Sequence, residues 1–505
     1  MGFFAMGADY IPEDNILSRI TEPRTRKLLE ICRDSNFNAL RVWGGGYYPD
    51  DYFFEICDEL GIVLFFDLMF ACSSYPFGDE FTENVLAEVR DNMTRIRHHA
   101  CLAVISGNNE IEGILDGNAE KWGGDVVRKQ YLDLFERDIP DLLQTLCPEI
   151  PYAPSSPSSF GHFEEIHNPN YGDLHYWDVW HSNLPFTAYR NLYPRYLSEF
   201  GFQSFPCKKT VDAFTLPKER NIFSRVMEMH QRNGTANAKI LGYLAQTFLY
   251  PADFSTLLYA SQLLQAEAMR YGVEHFRRNR GRCMGTLYWQ LNDIWPVASW
   301  ASIDYYGRYK ALQYVAKRFY APVLISCEET GERFGDCGVN EEGHTYETKA
   351  KLAVTNDTRE NVNGKVVWKL CTVKGEVLKT GVESVCVPAL SVTTLKEMDF
   401  EKTDVEHNYL WFAFERDGET LSSGCVLFTR PKYFDFEDPR LSAVIEGDTI
   451  KVTAKTFAKW VEIDSPDSDF VLSDNYFDMN AGTVEVKILS GKPKTLALRS
   501  AYDIR

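Results

Sequence analysis

The sequence predicts an α/β fold: a (β/α)8 TIM barrel over residues 1–320, followed by two small β-sandwich domains at 321–433 and 434–505. Three observations carry this. Apolar runs of strand length alternate with amphipathic stretches of helical period throughout the first 320 residues, a pattern that demands parallel βαβ units. Ile62–Leu68 (IVLFFDL) is an apolar run broken only by Asp67, as expected of a strand covered on both faces. After Tyr320-Ala-Pro322 the helical period stops, and short β-rich runs separated by Asn, Asp and Gly turns take over.

The elements follow in order. Phe3–Ile11 reads as a strand, and Arg24–Ser35 as a helix with Leu28, Leu29 and Ile31 at helical spacing. Asn38–Trp43 is a strand, Asp50–Leu60 a helix, Ile62–Leu68 a strand and Glu80–His98 a helix. Leu102–Ser106 is the fourth strand, with Val126–Leu146 as its helix. The pattern then loosens. Pro151–Pro154, Leu174–Trp177 and Tyr196–Glu199 are the fifth to seventh strands. A long helix follows at Asp253–Arg277, then an eighth strand at Met284–Gln290 and a helix at Lys310–Phe319. Eight such units in roughly 320 residues fit the barrel with insertions. Beyond it, Lys349–Val354, Gly364–Leu370, Ser391–Leu395 and Tyr409–Glu415 read as strands of one sandwich. Thr449–Lys455 and Thr483–Leu489 belong to another, after a break near Asp435–Pro439.

Composition narrows the function classes. A formal net charge of −19 argues against nucleic-acid or anionic-membrane partners, which require a basic surface. No apolar stretch approaches the ~20 residues that span a bilayer. Twelve cysteines are scattered without a CxxC pair, so no metal site is expected and the thiols read as reduced and mostly buried. With no convincing signal peptide at the start of the sequence, the expected location is cytoplasmic.

In this barrel the chemistry lies at the C-terminal ends of the strands. The fourth strand ends in Asn108-Asn109-Glu110 and the seventh in Glu199, and a closed barrel brings both to one mouth. Two carboxyls are what glycoside hydrolysis requires, one protonated to serve the leaving oxygen and one ionised to attack the anomeric carbon. A negative neighbour is expected to raise the pKa of the acid. A Glu at a strand end is also an ordinary solvated loop residue, and barrels host many chemistries. Gly44-Gly45-Gly46 lacks the Lys-Ser/Thr of a P-loop and reads as a tight turn at the rim. Asp67 has no partner at metal-ligand spacing and reads as a polar rim residue.

Asn108-Asn109-Glu110 and Ser198-Glu199-Phe200-Gly201 resemble the acid/base and nucleophile motifs of glycoside hydrolase family 2. Longer strings resemble its β-mannosidase branch. They are Gly7-Ala-Asp-Tyr-Ile-Pro12, Arg41-Val-Trp-Gly-Gly-Gly46, Asp67-Leu-Met-Phe-Ala-Cys72, Gly172-Asp-Leu-His-Tyr-Trp177 and Tyr288-Trp-Gln-Leu-Asn-Asp-Ile-Trp-Pro-Val-Ala-Ser-Trp300. Phe457-Ala-Lys459 and Ser473-Asp-Asn-Tyr-Phe-Asp478 resemble that branch's last β domain.

The resemblance implies a retaining exo-β-mannosidase acting on β-mannoside oligosaccharides or glycans without cofactor or metal, with immunoglobulin-like sandwiches after the barrel. It makes Glu110 the acid/base and Glu199 the nucleophile, with Asn109 on the sugar 2-hydroxyl. Arg41, near the end of the second strand, is placed to hold the nucleophile ionised, or to form a structural ion pair within the barrel. Trp43 and Trp289 are candidate walls of the sugar subsite. His175, Tyr176 and Trp177 are assigned to binding or orientation. Members of the family carry two β domains before the barrel, which this sequence does not show. A separate N-terminal domain or a second copy of the chain are therefore candidate partners. The competing readings are another family 2 activity (β-galactosidase, β-glucuronidase or β-glucosaminidase) and a truncated, non-catalytic sugar-binding protein.

Overall fold

The computed structural model describes residues 2–331 and 347–505; residues 332–346, within the span assigned to the first sandwich, lie outside the described residues. The chain packs into two units. The first comprises Met1–Trp177, Leu192–Gly201 and Gly281–Trp295. It holds one sheet of eight parallel strands: β1 (Ala5–Tyr10), β2 (Ala39–Val42), β3 (Val63–Asp67), β4 (Leu102–Ser106), β5 (Tyr152–Ala153), β6 (Leu174–His175), β7 (Leu197–Glu199) and β8 (Gly285–Tyr288). Their spatial order is β5-β4-β3-β2-β1-β8-β7-β6, the cyclic order of a (β/α)8 barrel opened between β5 and β6. Side chains bridge that opening: Ser156 Oγ donates to Asp173 Oδ2 (2.6 Å), and Ser158 N donates to Asp173 Oδ1 (3.1 Å).

Sequence accounts for the tightness of this sheet. All six residues of β1 are buried. Gly7 pairs with Ala39, and a Cβ there would lie 1.7 Å from the Ala39 carbonyl oxygen, so only glycine permits the approach of β1 to β2. The helices α1 (Glu22–Asp34), α2 (Asp51–Leu60) and α3 (Asp79–Ile96) follow the first three strands. The expected single helix at Val126–Leu146 is instead α5 (Asp125–Tyr131), a π-helical stretch at Leu132–Asp138, and α6 (Ile139–Leu146). An unexpected helix, α4 (Ile111–Trp122), precedes them and starts directly after Glu110. Ile111 and Leu115 are its fully buried pair, one turn apart. Gly113 and Gly117 dilute its apolar period, which hides it in the sequence.

The second unit comprises Asp178–Asn191, Phe202–Arg280 and Pro296–Arg505. Its helices are α7 (Lys208–Phe214), α8 (Arg225–Met229), α9 (Ala236–Thr247), α10 (Phe254–Arg278) and α11 (Ala311–Phe319). The 25-residue α10 is buried on nearly every face and is capped by Asp253, whose carboxylate accepts the Thr256 N–H at 2.9 Å. One sandwich follows. Strands β9 (Val323–Glu329), β10 (Lys349–Asn356), β13 (Ser391–Thr394) and β14 (Met398–Asp399) form one sheet, and β11 (Val362–Thr372), β12 (Val377–Val387), β15 (Asn408–Arg416) and β16 (Glu419–Leu427) the other. Leu352, Val354, Val366, Leu410, Phe412 and Phe428 fill its core. The last strands pair as β17 (Ser442–Glu446), β18 (Thr449–Ala454), β22 (Gly482–Ser490) and β20 (Val471–Leu472), against β21 (Phe477–Met479), β19 (Ala458–Asp464) and β23 (Ala497–Arg499). Among the described residues no helix is long and apolar enough to cross a membrane.

Candidate active site

The C-terminal ends of the barrel strands converge on one buried polar centre within the first unit. Arg41, on β2, is fully buried and organises it. Its Nη1 donates to Glu199 Oε2 (2.7 Å) and Asp9 Oδ2 (3.2 Å). Its Nη2 donates to Asp67 Oδ2 (2.8 Å) and Asn109 Oδ1 (2.6 Å). The register explains the reach: Asp9 of β1 lies opposite Arg41 on β2, and Asp67 ends β3. A guanidinium is suited to this place because its planar fork serves several oxygens at once.

Glu199 ends β7 and is 6% exposed. Its second oxygen, Oε1, accepts the Trp177 indole N–H at 3.1 Å, so both carboxylate oxygens are held. Glu110 follows β4 in the left-handed region, at φ +62°, a conformation that costs a non-glycine residue about 1–2 kcal/mol. The Glu110 N–H is fixed to the Ser156 carbonyl at 2.8 Å, and α4 begins at the next residue. The side chain therefore turns back into the mouth, where Oε1 meets His175 Nδ1 at 2.8 Å. The Cys72 thiol lies 3.6 Å from the other oxygen, Oε2.

His175, on β6, is buried and held from its far side by Ser156 Oγ at 3.0 Å from Nε2. It lies between the two glutamates, with Nδ1 3.7 Å from Glu199 Oε2. Carboxylate oxygens of Glu110 and Glu199 lie within 4.8 Å of each other and of the imidazole. These three side chains could in principle ligate a dication. Arg41 already donates to the Glu199 oxygen nearest His175, however, and its charge would oppose a second cation there.

The electrostatics follow from burial and these partners. Burial pushes the Glu110 carboxyl up, but the hydrogen bond and charge of His175, assisted by Arg41, outweigh it and hold Glu110 down at about 2. Burial also works against a charged His175, and the two glutamates more than reverse that, raising its pKa. The expectation that a negative neighbour raises the pKa of Glu110 is thus corrected: the adjacent imidazole dominates, and the Glu110–His175 pair holds one proton between them. Burial raises Glu199, with the Glu110 charge adding to it and His175 and Arg41 opposing. Asp9 and Asp67 are both raised by burial against the pull of Arg41.

The structure brings all the sequence-predicted residues to this mouth. Trp43 and Trp289, both half-buried, meet edge to face with ring centroids 4.9 Å apart. Asn109 directs its carbonyl to Arg41 and its amide nitrogen to Cys72 Sγ at 3.1 Å. Tyr176 is anchored through its backbone N–H to the Glu199 carbonyl at 2.8 Å, which places it beside the centre by main chain. Asp67 corrects the reading of it as a rim residue: it is fully buried as the bidentate partner of Arg41. It also accepts the Gly44 N–H at 3.1 Å. A Cβ at Gly44 would lie 2.5 Å from the Phe70 carbonyl oxygen, which accounts for glycine in that turn. Sequence reasoning did not single out Asp9, Cys72, Ser156, Asp173 or Ser198. Ser198 Oγ donates to Asp173 Oδ2 at 2.5 Å, and Asp173 also receives Ser156, so this trio buttresses His175. For Asp9, Cys72, Asp173 and Ser198 the one available signal was position within the strand-end motifs; Ser156 had none.

Comparison with known proteins adds to this geometry. Residues 348–433 match a family model described as a mannosidase Ig/CBM-like domain, and residues 436–504 match one described as an Ig-fold domain. A β-mannosidase B of Aspergillus flavus is 30% identical over 97% of this chain and 60% of its own length. One from Thermothelomyces thermophilus is 29% identical over 98% of this chain and 61% of its own. The crystal structure of a β-D-mannosidase from Dictyoglomus thermophilum superposes with a TM-score of 0.87 at 29% identity, covering 99% of this chain and 60% of that one. The exo-chitosanase CsxA of Amycolatopsis orientalis, at 16% identity and a TM-score of 0.69, shares the fold. The chain thus spans about 60% of the length of the curated relatives it matches.

Proposed function

We propose that the chain belongs to the β-mannosidase branch of glycoside hydrolase family 2 and is a retaining exo-β-mannosidase, releasing terminal non-reducing β-D-mannose from oligosaccharides or glycans. One observation carries the reaction type. Carboxylate oxygens of Glu110 and Glu199 lie within 4.8 Å of each other, an approach that fits the ~5–5.5 Å carboxyl spacing of double displacement better than the ~6.5–9.5 Å of an inverting site.

In this reading Glu199 attacks the anomeric carbon. Arg41 and Trp177 keep it ionised and aimed, despite the burial that favours its protonated form. Glu110 delivers a proton to the departing oxygen and draws it from His175, 2.8 Å away. Once the mannosyl group is on Glu199, Glu110 takes a proton from water and returns it to His175. Asn109 presents an N–H to the 2-hydroxyl, because its carbonyl is occupied by Arg41. Such a bond tightens as the ring flattens toward the oxocarbenium ion. Trp43 and Trp289 provide apolar faces for the sugar ring. The cation beside the nucleophile is a side chain, so the mechanism calls for neither metal nor cofactor. The described cysteines are all free thiols, which supports a reducing, cytoplasmic location.

The test is hydrolysis of aryl β-D-mannoside beside the β-galactoside, β-glucoside, β-glucuronide and β-glucosaminide, with Glu199→Ala as control. Mannoside-selective turnover that vanishes in the variant is the expected result. Preference for another glycoside, or full activity without Glu199, would refute the proposal.

A further inference from the structure

The Phe457-Ala-Lys459 and Ser473–Asp478 strings lie in the second unit and take no part in the proposed hydrolysis. They place a buried cluster on β16, β19 and β21. Lys459 Nζ donates to Cys425 Sγ at 3.3 Å and to Asp478 Oδ2 at 3.0 Å. The Cys425 thiol in turn donates to the same Asp478 oxygen at 3.0 Å. Lys459 and Cys425 are each 5% exposed, and the Trp460 ring lies 4.4 Å from the ammonium. An amine, a thiol and a carboxylate within mutual hydrogen-bond reach are more than a charge pair needs. A solvent-open cleft lined by Cys425, Lys459, Trp460, Glu267, Tyr271 and Thr429 has about 50 Å³ open to the centres of water-sized molecules, enough to admit a peroxide.

We propose that Cys425 and Lys459 form a peroxide-driven, thiol-reversible covalent cross-link that ties β16 of the first sandwich to β19 of the last domain. The thiol proton passes to Asp478, and the sulfur attacks one oxygen of hydrogen peroxide. The O–O bond breaks, and the departing hydroxide leaves as water with that proton. Cys425 is now a sulfenic acid, oxidised by two electrons as the peroxide is reduced. Lys459 gives one ammonium proton to Asp478 and attacks the sulfur with the freed lone pair. The S–O bond breaks, hydroxide leaves as a second water with a proton from nitrogen, and an S–N bond remains. Two equivalents of an external thiol return the thiol and the amine and leave as a disulfide. Burial and Asp478 push the Cys425 thiol up while Lys459 pulls it down, so the first step is slow and scales with peroxide.

The experiment treats the full chain with hydrogen peroxide and maps its peptides by mass spectrometry, with and without dithiothreitol. The expected product joins the Cys425 and Lys459 peptides at a mass about 2 Da below their sum. It returns to separate peptides with dithiothreitol, and is missing from Cys425→Ser, from Lys459→Arg and from chain oxidised in urea. Because the wild-type map is read directly, a variant that misfolds does not decide the result. Cys425 recovered from oxidised wild type only as thiol, sulfinic acid or disulfide overturns the proposal, as does a link that persists in Lys459→Arg.

Discussion

Replacing His175 by Asn removes the group that sets the protonation state of Glu110, and the pH profile should report it. With His175 in place Glu110 is held at about 2, against an ordinary 4.5. Without the imidazole the remaining forces are burial, which raises, and the more distant Arg41, which lowers. The carboxyl should therefore climb to at least its ordinary value, a change of about 3 kcal/mol between its two protonation states at 1.36 kcal/mol per pKa unit. In the wild type the transferable proton is carried on His175, whose pKa lies above 6.5. It is present below that pKa and lost as pH rises through it, which defines the alkaline limb of kcat/KM. Glu199, raised above 4.5, must be ionised to attack, so activity is lost as pH falls through its pKa, which defines the acid limb. In His175→Asn the proton sits on Glu110 alone, and the alkaline limb should move to lower pH. Glu199 loses a cation that favours its ionised form, so the acid limb should rise and the bell narrow from both sides. Stopped assays of aryl β-mannoside hydrolysis from about pH 4 to pH 9 measure both limbs. An alkaline limb that stays in place in the variant would refute the shared-proton reasoning.

Further outcomes follow from the same centre. Trp177→Phe deletes one hydrogen bond to an ionised carboxylate, worth about 1.5–3 kcal/mol, so kcat/KM should drop roughly 10- to 100-fold with an upward shift of the acid limb. A rise in KM alone, with kcat unchanged, would assign Trp177 to packing against the substrate. Arg41→Met strands Asp9, Asp67 and Glu199 without their cation and should cost about 3–5 kcal/mol of stability by urea unfolding. The loss should shrink as pH falls and the stranded carboxyls take up protons. An equal loss at every pH would contradict that. Glu110→Ala should retain turnover of substrates with activated leaving groups and regain rate with azide, an anionic nucleophile that attacks the glycosyl-enzyme in place of water without needing a base, displaces Glu199 and yields β-mannosyl azide. No azide product would remove Glu110 from the acid/base role.

Much of this was legible in the sequence because burial writes itself into composition. Ile62–Leu68 and Leu102–Ser106 are apolar but for Asp67 and Ser106, and the eight barrel strands lie at or within the expected bounds. The two glutamates were visible because each ends such a run, and Arg41 because it interrupts one. Asp67 misled because a carboxylate at a strand end reads as solvated. Only the fold reveals that Arg41, 26 positions earlier, meets it in the interior. The helix after Glu110 was hidden by Gly113 and Gly117, whose cost is covered by burial of Ile111 and Leu115. The protonation of Glu110 was beyond reach, since it depends on a 2.8 Å contact with a histidine 65 positions away.

The proposed double displacement turns on Glu199 as its nucleophile, and trapping tests that role most directly. Incubation with a 2-deoxy-2-fluoro-β-mannosyl fluoride slows both steps and, with its good leaving group, lets the glycosyl-enzyme accumulate. The expected result is one fluoromannosyl group per chain, mapped to the peptide carrying Glu199 and missing in Glu199→Ala. A label on Glu110, or hydrolysis with inversion and no adduct, would contradict the account.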